Sequence, residues 1–364
     1  MPGGAVEAYN SQPGKYKFVV KKRKGFVKVA LKNGSPLVPV ISFGETDLFR
    51  QIDNRALRNV QEFLRKYFFL GLPPVVFMGR GFFQYSFGMI PRRKQITTVR
   101  KILMGIPVEV TKLENPTNEQ IEELHDKFVQ ALVALFDEYK YKKNSTNSRP
   151  VKHLPSSQMK VLGIEFAPLV VPMHRRYETL AVAAWLFLAA FGGLTGLLVC
   201  IYLLFTRLWW LVPLYATWTY LDRHVGESGG RSNFWMQNWR WWYHLKNYFP
   251  VETHCVPSFS LDPTRNYLFC CFPHGIIPVG PFTALANTWS NFRKSYPEFT
   301  VKLAVLHALV LLPIVRELGL AYGTISCSIK SLNYELSRPE GGHIVNLMPG
   351  GAVEAYNSQP GKWP

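Results

Sequence analysis

From Thr179 to Thr206 the chain runs 28 residues without a charged side chain, TLAVAAWLFLAAFGGLTGLLVCIYLLFT. About 20 such residues suffice to cross the hydrocarbon core of a bilayer, so the pattern predicts a membrane element. After Arg207 a second apolar run, LWWLVPLYATWTYL, reaches Leu221; at 14 residues and about 1.5 Å per residue it is too short to span independently. Two arrangements fit: one span followed by an interfacial helix, or a hairpin over 179–221 that turns near Gly192-Gly193. The hairpin is preferred, because it keeps Arg175, Arg176, Asp222 and Arg223 on one side, and arginines favour the cytosolic face. The stretch is internal and lacks the short apolar core and cleavage site of a signal peptide.

Elsewhere the pattern alternates between strand-like and helix-like segments. Tyr16 to Val20 reads as a short strand, RKGFVKVALKNG as a helix leaving at Gly34, and Leu37 to Gly44 as a buried apolar strand. Asn266 to Phe272 and His343 to Leu347 read as two more strands, running into Pro273-His274-Gly275 and Met348-Pro349-Gly350-Gly351. Strands alternating with helices predict an α/β fold with a mostly parallel central sheet flanked by helices. Near residue 117, Thr117 and Gln120 form a capping-box pattern, and Ile121, Leu124, Phe128, Leu132, Leu135 and Tyr139 recur on one helical face. Two segments stay ambiguous. Asn233 to Phe249 interleaves aromatic and basic residues, which suits either a piece packed on the body or an aromatic anchor at headgroup level. Lys302 to Gly323 is nearly long enough for another span, but His307, Pro313, Arg316 and Glu317 turn the reading to a membrane-embedded body helix, the floor of a lipid pocket, or ordinary core.

Composition narrows the picture. With 364 residues a large core is affordable. The formal charge of +18 is uneven: residues 1–158 hold 26 of the 42 Lys and Arg and 13 of the 24 Asp and Glu. A basic surface suits phospholipid headgroups, nucleic acid or phosphorylated cofactors, and the adjoining apolar segment favours the membrane over nucleic acid. Cys200, Cys255, Cys270, Cys271 and Cys327 show neither metal-ligand spacing nor an even disulfide framework, which fits a reducing, cytosol-facing setting. Lys142 to Gln158 is the best linker candidate, polar and proline-bearing. The implied division is 1–141, linker 142–158, a pre-membrane segment 159–178, the membrane hairpin 179–221, and 222–364.

In open α/β sheets ligands collect beyond the carboxyl ends of the strands, and His274, Glu354 and Glu45 each follow a strand. Gly275 lets a substrate approach the His274 turn closely, and Gly350-Gly351 offers backbone N–H groups suited to an oxyanion or a phosphate. The run Lys21, Lys22, Arg23, Lys24 and Lys28 is either a solvated face or a partner for phosphates.

The first fifteen residues, MPGGAVEAYNSQPGK, return unchanged at Met348 to Lys362. From Met159, MKVLGIEFAPLVVPMHRRYETLAVAAWLFL, FTRLWWLVPLYATWTYLDR, LDPTRNYLFCCFPHG and PGGAVEAYNSQPGK follow in the order of the monoacylglycerol and type-2 diacylglycerol acyltransferase family, which they resemble. Arg23 to Glu45, Gly79 to Pro91 and the helix near 120 resemble that family's C-terminal portion. The likeness covers about nine-tenths of the chain. Its second half thus stands first, as in a circular permutation, and the repeat marks where the halves would join. Two explanations are open: a permuted polypeptide, or a reading frame that joins the tail of one tandem gene copy to the head of the next, which is the more economical. The chain from 141 to 172 could reach about 100 Å, enough to close the circle.

The resemblance implies transfer of a fatty acyl group from acyl-CoA, as co-substrate, to a monoacylglycerol or diacylglycerol hydroxyl, with no tightly bound cofactor and no metal. It places the enzyme at the endoplasmic reticulum membrane with its catalytic part facing the cytosol, and leaves homo-oligomerisation open. His274 would be the general base, Glu354 or its duplicate Glu7 would orient the imidazole, and Gly350 and Gly351 would stabilise the oxyanion. Gly275, Arg23, Lys24, Lys28 and Glu45 complete the expected substrate site. Relatives have His-Pro-His-Gly, whereas here Phe272 takes the place of the first histidine. Only the Glu354 copy has a full strand ahead of it, so it is expected to hold the native position, with residues 1 to about 14 loosely held. An inactive fusion product and a basic membrane-attached binding protein are the alternatives.

Overall fold

The structure is a computed structural model that describes residues 23–42, 48, 50–51, 77–92, 100–145, 160–161, 163–168, 170–249, 251–256, 259–272 and 279–349. In chain order its main elements are α1 (Gly25–Asn33), β1 (Leu37–Ser42), β2 (Arg100–Met104), α2 (Asn118–Ser145), α3 (Met173–Leu204), α4 (Leu211–Leu221), α5 (Arg240–Tyr248), β3 (Val251–Cys255), β4 (Tyr267–Phe272), β5 (Thr300–Val305), α6 (Val315–Tyr322), β6 (Thr324–Ser326), α7 (Ile329–Leu336) and β7 (His343–Leu347).

Seven strands form one sheet in the order β6-β5-β7-β4-β1-β2-β3. Every neighbouring pair is parallel except β1 with β2. β1 and β2 come from the front of the chain and lie between β4 and β3 from the rear, so both halves build the same sheet. A sheet covered on both faces needs apolar residues at successive positions, and β1, β4 and β7 are buried throughout. On one face α1, α2 and α7 pack through Phe26, Ala30, Phe128, Leu132, Leu332 and Leu336. On the other, α3 and α5 supply Val182, Trp185, Leu186, Trp242 and Leu245.

The local signals act as expected. Gly34 takes φ 65° to close α1, a conformation glycine adopts without a Cβ penalty. Thr117 and Gln120 exchange the two capping hydrogen bonds, at 2.9 and 3.4 Å, and Ile121, Leu124, Phe128, Leu132 and Leu135 are buried. α2 continues to Ser145, so the polar run expected as a linker begins inside the helix. The Tyr16 to Val20 strand lies outside the described residues.

The apolar segment corrects one expectation. α3 is continuous across Gly192-Gly193, where a turn was predicted. The glycines serve close packing instead: a Cβ on Gly193 would meet Leu312 Cδ1 at 2.7 Å, and one on Gly196 would meet Pro313 Cβ and O at 2.8 Å. The chain turns back later, over residues 205–210, since Gly192 packs on Val315 while Tyr215 on α4 bonds the adjacent Glu317 at 2.9 Å. The return arm ends at Leu221, and the next residue, Asp222, pairs with the buried Arg316. α3 is the one described helix long and apolar enough to cross a membrane; its 32 residues reach about 48 Å. The second correction concerns Lys302 to Gly323, which is no single helix. Its first residues complete strand β5, a short 3-10 turn follows at His307–Val310, and only Val315–Tyr322 is α-helical. The aromatic segment divides: Met236, Trp242, Leu245 and Tyr248 are buried, while Phe234 and Trp235 face outward.

Candidate active site

Three parallel neighbours, β7, β4 and β1, end at one edge of the sheet. Ile41 of β1 is level with Phe272 of β4, and Leu347 of β7 is level with Cys270. Ser42, Phe272 and Leu347 therefore end their strands at one edge, the kind of edge where α/β folds gather ligands. Glu45, His274, Gly275, Gly350, Gly351, Glu354 and Glu7 themselves lie outside the described residues. The strands that lead to Glu45, His274 and Glu354 come from both halves of the chain and abut.

Arg23 is placed at this edge. Its guanidinium Nη1 donates to the Pro349 carbonyl at 2.7 Å, tying the start of α1 to the residue before Gly350-Gly351. Lys24 pairs with Glu122 on α2, both side chains open to solvent, and Lys28 is exposed on α1. Pro349 follows the rear strand, so the contact joins the front of the chain to the second copy of the repeated loop.

Two further groups at the same edge were not singled out by sequence reasoning. His307 Nδ1 stands 3.0 Å from the Ser326 hydroxyl at the end of β6; the histidine was read only as a polar interruption of an apolar run. Asn346, one residue before the end of β7, is wholly buried, and neither atom of its amide has a hydrogen-bond partner among the described residues. It alternates with Val345 and Leu347, which pack beneath α1 and α2, so it faces the α3 and α5 side. A lone asparagine among apolar residues was the available signal. Downstream of His274, Pro281–Ala286 forms a buried π-helical turn, anchored by Thr283 Oγ1 donating to Val279 O at 2.7 Å.

Thiol chemistry has little support. Burial raises the Cys270 thiol well above its ordinary value and also raises Cys255 and Cys327, whereas a nucleophilic thiol needs the opposite shift. None of the five cysteines is joined in a disulfide. Among the described residues no group of three or more His, Cys, Asp or Glu side chains could hold a metal ion.

A family model described as Diacylglycerol acyltransferase matches residues 1–151 and 201–363. The chain is similar to 2-acylglycerol O-acyltransferase 1 of Bos taurus, 38% identical over 200 residues that cover 55% of this chain and 59% of that protein. It is also similar to Acyl-CoA wax alcohol acyltransferase 1 of Homo sapiens, 38% identical over 191 residues, 52% of this chain and 56% of the other. Diacylglycerol O-acyltransferase 2 of Dictyostelium discoideum is 43% identical over 141 residues, 38% and 41% of the two chains. The matched stretch thus spans under two thirds of each relative's length. No solved structure gives a significant match. With the family model matching well over half of the sequence, in two stretches separated by most of α3, the chain belongs to the diacylglycerol acyltransferase family.

Proposed function

We propose that the protein is a membrane-bound O-acyltransferase that moves a fatty acyl group from acyl-CoA to an acylglycerol hydroxyl. The observation that carries this reading is the meeting of β7, β4 and β1 at one sheet edge, with strands from both halves of the chain leading to the candidate residues. His274 acts as general base: its neutral imidazole takes the proton of the acceptor hydroxyl as the oxygen attacks the thioester carbonyl, and the thiol of CoA leaves. No covalent acyl-enzyme is needed, in keeping with the raised pKa of the buried Cys270 beside the site. Glu354 holds the imidazole in one tautomer and stabilises the imidazolium, and N–H groups of Gly350 and Gly351 stabilise the oxyanion. The Arg23 contact to Pro349 favours the Glu354 copy over Glu7, and the same cation with Lys28 offers positive charge to the phosphates of CoA.

The halves stand in permuted order relative to the family, and the shared sheet is how they assemble. α3 anchors the protein in the endoplasmic reticulum membrane, and Arg175 and Arg176 at its start favour a cytosolic catalytic side. The decisive experiment expresses this chain in membranes that lack neutral-lipid synthesis and supplies labelled acyl-CoA with monoacylglycerol, diacylglycerol or fatty alcohol. Acyl transfer is expected, and His274→Ala should lower it by about 10²–10⁴-fold, the range for loss of a general base. A membrane-bound chain that turns over none of the acceptors would mean an inactive fusion product or a binding protein.

A further inference from the structure

Gly79 to Pro91 is a tight loop in which the ends are zipped together. Gly79 N donates to Gly88 O at 2.6 Å, and Arg80 and Ile90 exchange two backbone hydrogen bonds at 2.6 and 2.9 Å. Gly88 has φ +134°, and a Cβ there would meet the Arg80 carbonyl oxygen at 2.5 Å, so the turn requires glycine. Arg80 fixes the loop to the body: Nε donates to Tyr248 Oη and Nη2 to Thr179 Oγ1, each at 3.0 Å. Thr179 opens the uncharged stretch of α3. The segment just before α3 adds an edge, with Tyr85 N donating to Glu165 O at 2.7 Å and Ala167 N to Phe83 O at 2.8 Å.

These polar groups are turned inward, and the outer surface is apolar. Phe82 is 49% exposed, Phe83 84%, Phe87 50% and Met89 50%. Val170, 88% exposed, stands three residues past Ala167, and Leu180, next to Arg80's partner Thr179, is exposed on α3. Each buried square ångström of such surface is worth about 25 cal/mol, so leaving a cluster of this kind in water is unfavourable. Arg175 and Arg176, exposed on the first turn of α3, supply the basic flank that anionic headgroups attract.

We propose that this loop is a second membrane contact, with Phe82, Phe83, Phe87 and Met89 lying in the headgroup–acyl boundary of the leaflet that α3 enters. The Arg80–Thr179 bond and the pairing of Phe83 and Tyr85 with the segment before α3 hold this apolar loop against the start of the helix, near Arg175 and Arg176, which matches a lipid interface rather than a protein groove. The proposal rests on reading α3 as a membrane helix and is independent of the transferase chemistry.

The test reconstitutes the full chain in phosphatidylcholine–phosphatidylserine vesicles that contain a phosphatidylcholine with a diazirine near the head of its acyl chain, followed by irradiation and peptide mass spectrometry. Adducts are expected within 82–89 as well as on α3. Phe83→Asp, at an exposed position where the fold should tolerate it, should lower the loop adducts roughly fivefold or more and leave those on α3 unchanged. Adducts confined to α3, or loop adducts insensitive to Phe83→Asp, overturn the second contact alone. Absence of adducts from both segments overturns the membrane reading of α3 along with it.

Discussion

Asn346 leaves both atoms of a buried amide without a partner among the described residues, and an unsatisfied group of this kind costs about 1–3 kcal/mol. Asn346→Leu, close in volume, should therefore raise the thermal midpoint of the detergent-solubilised protein; an unchanged or lower midpoint would mean that the amide is satisfied in solution. Tyr296 makes a second prediction. Burial, helped by Cys255 at 3.9 Å and by Glu298, pushes its phenol from 10.0 up to about 12. The folded state then keeps a proton that the unfolded chain releases, so this group's contribution is complete below pH 10 and is lost as pH rises from about 10 to 12. In Tyr296→Phe the fall in stability across that window should be shallower, which denaturant titration at several pH values can read.

At the scale of elements, Gly196 separates packing from propensity. In an open helix Gly→Ala gains about 0.5–1 kcal/mol. Here the new Cβ would meet Pro313 Cβ and O at 2.8 Å, so Gly196→Ala should instead destabilise, by about 1–3 kcal/mol in thermal unfolding. The same ambiguity explains what the sequence left illegible: a glycine pair inside an apolar run signals a turn or a close approach, and only the partner, residues 312–315, decides. Lys302 to Val305 failed for a related reason, because a short apolar run fits a buried strand as well as a helix. Where a side chain supplies its own local chemistry the reading was sound, as in the Thr117 capping box, the Gly34 exit and the buried run of β1. Of the candidate site, the converging strand ends were legible because Pro-His-Gly and Pro-Gly-Gly interrupt apolar runs. Arg23's bond to Pro349 was not, since nothing local links residues 326 positions apart. Ile314 was equally hidden: a β-branched residue at φ 68°, its N–H bonded to Glu317 at 2.9 Å, in the turn that presents Pro313 to Gly196.

For the whole molecule, the sheet order forbids treating the halves as independent bodies. β1 has β4 on one side and β2 on the other, and β2 has β3. Residues 1–150 expressed alone should aggregate, because both outer edges of that strand pair would be bare and apolar. Co-expressed with 151–364, they should co-purify as one complex after affinity capture of either piece. Soluble, separately folded halves that fail to associate would contradict the shared sheet.

That order also sets a schedule for biogenesis. The ribosome releases β1 some 230 residues before β4, which at 5–20 residues per second is a wait of about 10 to 50 seconds. During that interval α3 emerges and can enter the bilayer, so the nascent front segment would be tethered at a membrane surface, in need of a chaperone's shelter, until its missing neighbours are made.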